Sequence, residues 1–190
     1  GQPLVVEDIQ HGTPGPREVL VRTVATGVCH SDLHVLDGAL PNPVPIVLGH
    51  EPAGVVEAVG SAGTHVAPGD HVIGCLSAFC GSCEYCVAGR PNPWEGEATM
   101  PRPGEPPRLA KDGEPITQFV HLSASAERML VHENALVKIR PDVPLDRVAL
   151  IGCGPTTGPG AVSNTAPVRA GSTAAVIGCG GIGLSVIQGC

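Results

Sequence analysis

Aromatic side chains are nearly missing from this sequence, with two Phe, one Trp and one Tyr in 190 residues. A core cannot rest on ring packing here, so Val, Ile, Leu and Ala must build it. Positive charge is also scarce. Eleven Lys and Arg stand against 18 Asp and Glu, for a formal charge of -7. That balance leaves no basic stripe and speaks against nucleic acid or an anionic membrane as partner. No apolar run is long enough to span a bilayer, and the first residues lack a charged-then-apolar leader pattern. The expected setting is cytoplasmic, with small neutral ligands.

The sequence is rich in turn formers, with 26 Gly and 20 Pro, which favours short strands over long helices. Its eight Cys could be four disulfides. However, Cys80, Cys83 and Cys86 repeat at a three-residue step with no secretion signal, which points to reduced, metal-binding thiols.

Taken in order, Gln2 to Gln10 reads as extended, and Pro14 and Pro16 turn the chain into a half-buried strand from Glu18. That strand leads to Cys29. Ser31 to Leu36 reads as a short helix with Ser31 near its N-cap, so that Ser31 and His34 lie one turn apart. Ile46–Glu51, Ala53–Gly60, Asp70–Gly74, Arg128–Val131 and Ala135–Ile139 read as further short strands of a barrel or sandwich. The stretch from Glu95 to Glu114 has no periodicity and is expected to be a surface loop. Helix-like spacing begins at Leu145. Residues 172–187 then read as a buried strand, a glycine turn and the opening of a helix. A single strand and part of a helix cannot bury their own faces, so the second domain reads as truncated.

Two groups of residues carry chemistry. Cys29, His50 and Cys153 are far apart in sequence, each beside glycine, and soft thiolates with one imidazole suit zinc. Three ligands leave an open fourth position, as catalytic zinc requires, whereas a structural zinc is closed by four. Taken singly, each could instead be a buried thiol or a hydrogen-bonded histidine. Gly178, Gly180 and Gly183 form a G-x-G-x-x-G pattern, with Gly181 at the helix start. In that context the pattern puts a dinucleotide pyrophosphate on a helix N-terminus.

Several stretches together resemble the zinc-dependent medium-chain alcohol dehydrogenases. They are Val24–Asp32, Leu48–Glu51, Pro68–Asp70, Cys80–Cys86, Leu150–Gly154 and Gly178–Gly183, in the family's order and spacing. The resemblance implies a mainly β GroES-like catalytic domain with some α structure over residues 1–154. The start of a Rossmann α/β domain would follow over 155–190. It implies catalytic zinc on Cys29, His50 and Cys153, with Asp32 orienting His50 and Glu51 as a carboxylate near the metal. Ser31 and His34 match the proton relay, and His30 stands where relatives often carry an arginine for the cofactor phosphate.

The implied cofactors are zinc and NAD, with NADP not excluded. The implied partner is a small alcohol or aldehyde, and the intact protein would be a homo-oligomer. A formaldehyde dehydrogenase acting on a thiol adduct is the enzymatic alternative, and a non-catalytic zinc-binding GroES-like module is the other. The family's structural zinc lobe departs from its pattern here. Cys80, Cys83 and Cys86 match, but the place of the fourth cysteine holds Trp94, so that either Glu95 or Glu97 closes the site or the site is empty or weak.

Overall fold

The computed structural model describes residues 3–91, 99, 104–166 and 168–190. Trp94, Glu95 and Glu97 lie outside the described residues. The main element is a five-stranded antiparallel sheet in the order β10-β5-β4-β2-β9. Its strands are β2 (Glu18–Gly27), β4 (Glu51–Val59), β5 (His71–Gly74), β9 (Arg128–His132) and β10 (Leu136–Lys138). Alternation along β2 sends Val19 and Val21 inward, where the register sets them opposite Val131 and Met129 of β9. Val56, Val66, Val72, Leu122 and Leu136 extend this core, which contains no ring among the described residues. The sheet's other side is closed by α3 (Leu145–Val148), where Val148 and Ala149 pack on Ala53 and Ile73.

Smaller elements frame the sheet. Strands β1 (Gln10–His11), β6 (Leu109–Lys111) and β7 (Glu114–Pro115) form a three-stranded sheet, while β3 (Ile46–Val47) pairs in parallel with β8 (Thr117–Gln118). The run expected to be a featureless surface loop therefore ends in a hairpin. Leu109 is its buried anchor, and one apolar residue among prolines gives no periodicity to read. Among the described residues of the extended N-terminal stretch, only the last, Gln10, enters a strand.

Helix α1 (His30–Leu36) begins earlier than expected. Cys29, not Ser31, is its N-cap, and the Cys29 amide donates to the Asp32 carboxylate at 3.1 Å. Helix α2 (Glu84–Val87) follows Cys83. Helix α4 (Gly154–Gly160) lies against α5 (Gly181–Gly189). Residues 172–177, expected as a buried strand, join no sheet, and Ile177 is fully exposed. The apolar pattern is present, but a strand also needs a neighbour, and among the described residues no other strand runs beside it. Among the described residues no helix is long and apolar enough to cross a membrane.

Candidate metal centre

The pairing of β2 with β4 assembles the site. Its register puts Gly27 opposite Glu51, so Cys29, just past the end of one strand, meets His50, just before the other. Cys153 arrives from the far side of the sheet on the turn between α3 and α4, with its Sγ 4.0 Å from the Cys29 Sγ. One ligand atom from each of Cys29, His50, Glu51 and Cys153 lies within 4.8 Å of all the others.

Backbone geometry permits this crowding at two glycines. A Cβ at Gly27 would come within 1.9 Å of the Glu51 Oε2 and 2.6 Å of Leu150, so a side chain there would displace the carboxylate. Gly49 has φ +90°, and a Cβ there would sit 2.5 Å from the Ser125 amide nitrogen.

Asp32 organises the centre. Its carboxylate accepts the amides of Cys29 at 3.1 Å and Gly49 at 3.0 Å, and lies 3.3 Å from the His50 Nδ1. With Nδ1–H donating to Asp32, the Nε2 lone pair is the free ligand atom of the ring. His50 is buried and meets the edge of Phe119, with ring centroids 5.6 Å apart. The Asp32 hydrogen bond raises the His50 pKa above the usual imidazole value, against the opposing effect of burial. Burial would raise the Asp32 carboxyl, but its bonds to His50 and the two amides hold it below the usual carboxylate range.

The two thiols are polarised in opposite directions. Burial acts to raise Cys29, yet hydrogen bonding from the Ser31 backbone and hydroxyl and from His50 brings it below the ordinary thiol value. Cys153 is pushed up to about 12 by burial, then by the charge on Cys29 and by Glu51. Two sulfurs this close cannot both ionise unless a cation lies between them. A zinc dication answers that condition, and two thiolates with one imidazole are a donor set that zinc takes. The residues therefore fit the metal.

The structure brings the Ser31 hydroxyl within 3.7 Å of the Cys29 Sγ, so it borders the centre. His34 is exposed, its ring edge-on to that of His30 at 4.6 Å. In the glycine turn, Gly178 has φ +105° and Gly180 is the N-cap of α5, with Gly181 and Gly183 in the first turn. The turn and helix are present without the paired strand that was expected before them. The contribution of Phe119 to the His50 pocket had no signal in the sequence, because it depends on the path of residues 117–121.

The second thiol group lies on the loop after β5. Cys83 Sγ is 3.5 Å and Cys80 Sγ 3.9 Å from Cys86 Sγ. The amides of Ser82 and Cys83 donate to the Cys80 Sγ at 3.4 and 3.2 Å and are the main reason its pKa falls to about 6. Among the described residues only these three side chains form the cluster. Cys75, one residue past β5, stays outside it. The described residues thus supply three of the four ligands that a closed structural zinc takes.

The alcohol dehydrogenase GroES-like domain is the family whose sequence model matches this chain, over residues 15–141. The chain belongs to that family. Similar proteins of this alcohol dehydrogenase family include the S-(hydroxymethyl)glutathione dehydrogenase of Photobacterium damsela subsp. piscicida. It is 44% identical over 196 residues, covering 100% of this chain and 53% of the relative. Among solved structures, an alcohol dehydrogenase zinc-binding domain protein from Burkholderia ambifaria has TM-score 0.85 and 38% identity, over 100% of this chain and 52% of that one. Acetophenone reductase from Geotrichum candidum, in complex with NAD, has TM-score 0.72 and 29% identity, over 94% of this chain and 48% of that one. The chain spans about half the length of the curated relative it matches. Membership accounts for the β-rich GroES-like architecture and for zinc and NAD(P) as the cofactors of the family.

Proposed function

We propose that this chain supplies the zinc-binding part of an NAD(P)-dependent dehydrogenase that oxidises an alcohol carbon to a carbonyl. The observation that carries the proposal is the convergence of Cys29, His50 and Cys153 from three separate segments, with a hydroxyl at their edge. Zinc, when bound, supplies a Lewis acid that lowers the pKa of an alcohol oxygen. Cys29, His50 and Cys153 hold it, and Asp32 keeps the His50 ring in the ligating tautomer. Glu51, buried beside Cys153, adds a carboxylate that tunes the charge of the centre. Ser31 receives the substrate proton and His34 passes it to solvent from the exposed end of α1.

NAD or NADP, when bound, supplies the hydride acceptor. The Gly178–Gly183 turn would hold its pyrophosphate through the amides opening α5, and His30 would offer its imidazole to a cofactor phosphate. Residues 1–154 form the catalytic unit in this reading, and 155–190 belong to the cofactor domain. The name carried by the 44%-identical relative favours a second substrate, a hydroxymethyl thiol adduct, which presents the same alcohol carbon to the same residues.

In the protein that carries this chain, His34→Ala is expected to slow alcohol-dependent NAD reduction at neutral pH. The loss should be on the order of ten- to a hundredfold, because solvent substitutes in part for a relay group. Zinc content should not change. An unaltered pH–rate profile would remove His34 from the mechanism. Comparing kcat/KM for benzyl alcohol and for S-(hydroxymethyl)glutathione separates the two substrate classes, and failure of both would remove the dehydrogenase assignment.

A further inference from the structure

The thiol lobe has one ligand too few for a closed zinc site among the described residues, and position 94 is tryptophan, whose indole N–H offers no ligand lone pair. Cys80, Cys83 and Cys86 nevertheless gather their sulfurs tightly, at 3.5 and 3.9 Å along the pairs through Cys86. We infer that these three residues form a three-thiolate site for a thiophilic centre satisfied by three sulfurs, of the class of trivalent arsenic. The inference stands apart from the dehydrogenase reading and uses none of the residues of the Cys29 centre.

Four features support it. First, sulfurs bonded at about 2.3 Å to one pyramidal trivalent centre, with angles of about 100°, sit about 3.5 Å apart, and the two pairs through Cys86 stand at 3.5 and 3.9 Å. Second, three thiolates around a dication leave one negative charge uncompensated, whereas a trivalent centre brings the group to neutrality. Third, the first sulfur is already held in place, since the Ser82 and Cys83 amides donate to Cys80 at 3.4 and 3.2 Å. The Asn134 side-chain amide also ties the Phe79 carbonyl, next to Cys80, to the main fold at 2.6 Å. Fourth, all three cysteines are half-buried, so a small oxyacid can reach them.

The exchange balances without an oxidant. Arsenous acid and three thiols give a trithiolate of arsenic and three waters. Three As–O and three S–H bonds break, three As–S and three O–H bonds form, and arsenic stays trivalent throughout. Soft thiolates favour such a centre over hard cations.

The test is arsenite titration of the zinc-supplemented protein, followed by calorimetry and intact mass. One arsenic per chain is expected, seen as a mass gain of one arsenic less three hydrogens. Cys80→Ser, Cys83→Ser and Cys86→Ser should each weaken binding at least tenfold, while Cys29→Ser should leave it in place. Arsenic X-ray absorption on the wild-type protein should show three sulfur neighbours, which keeps the question decidable if a serine variant misfolds. Trp94→Cys, by adding a fourth thiol, should shift the lobe towards chelator-resistant zinc. Arsenic bound with two sulfurs, binding lost in Cys29→Ser, or a second zinc already held by the wild type against excess chelator would each overturn the inference.

Discussion

Cys153→Ala is expected to remove one zinc per chain and to abolish alcohol oxidation in the protein that carries this chain. Cys153 is one of only two thiols at the Cys29 centre and faces its partner sulfur at 4.0 Å. Loss of a group that merely supports a ligand costs ten- to a hundredfold in metal affinity or activity, so loss of the ligand itself should exceed about a hundredfold. The fold should survive. Cys153 is only half-buried and belongs to neither apolar core cluster, so its removal opens no cavity under the sheet. Zinc by mass spectrometry, NAD reduction and thermal melting should therefore separate. The first two should be lost, and the melting temperature should move only by what the bound metal contributes. A variant that keeps its zinc and its turnover would take Cys153 out of the centre.

Glu133→Ala should produce a large loss of stability, comparable to truncating a fully buried apolar side chain. Glu133 is fully buried. It accepts the Arg17 guanidinium at 2.7 Å and the amides of Thr64 and His65 at 2.7 and 3.1 Å. One carboxylate thus ties the start of β2 and the loop after β4 to the end of β9. Burial opposes its ionisation, but those amides and Arg17 bring its pKa down to about 2 from the ordinary 4.5. The difference sets a contribution of about 3 kcal/mol, at the level expected when one partner of a buried network is removed.

The sign of the pH dependence follows from the depressed folded-state value. The tie contributes fully above about pH 4.5 and is lost as pH falls towards about 2. Urea unfolding should show wild type about 3 kcal/mol more stable than Glu133→Ala at pH 7, with the gap closing in that acid window. Equal acid sensitivity of the two proteins would show that Glu133 is not the titrating tie.

Cys29, His50 and Cys153, which the fold brings together, stood out in the sequence because each lies in a glycine-bounded motif whose spacing resembles one family. Their convergence was not legible as geometry. It depends on the register that sets Gly27 opposite Glu51, and no local pattern encodes a register between strands. The half-buried strand from Glu18 was legible from its alternation, and its Val19 and Val21 do lie in the core. The Arg17–Glu133 tie joins residues 116 positions apart, and nothing in either neighbourhood distinguishes them from surface charges. Residues 172–177 show the opposite failure. Their apolar run reads as a buried strand, yet burial is conferred by neighbours and Ile177 has none over it. The hairpin at 109–115 was hidden because a run of prolines and glycines around one buried leucine carries no period.

Zinc X-ray absorption on the chain loaded with one equivalent of zinc tests the central claim most directly. The claim is that Cys29, His50 and Cys153 are the primary zinc ligands. The predicted spectrum has two sulfur neighbours at about 2.3 Å and one imidazole nitrogen at about 2.0 Å, falling to one sulfur in Cys29→Ser. A first equivalent surrounded by sulfur alone, and unchanged in Cys29→Ser, would place the zinc on the other thiol group and contradict the account.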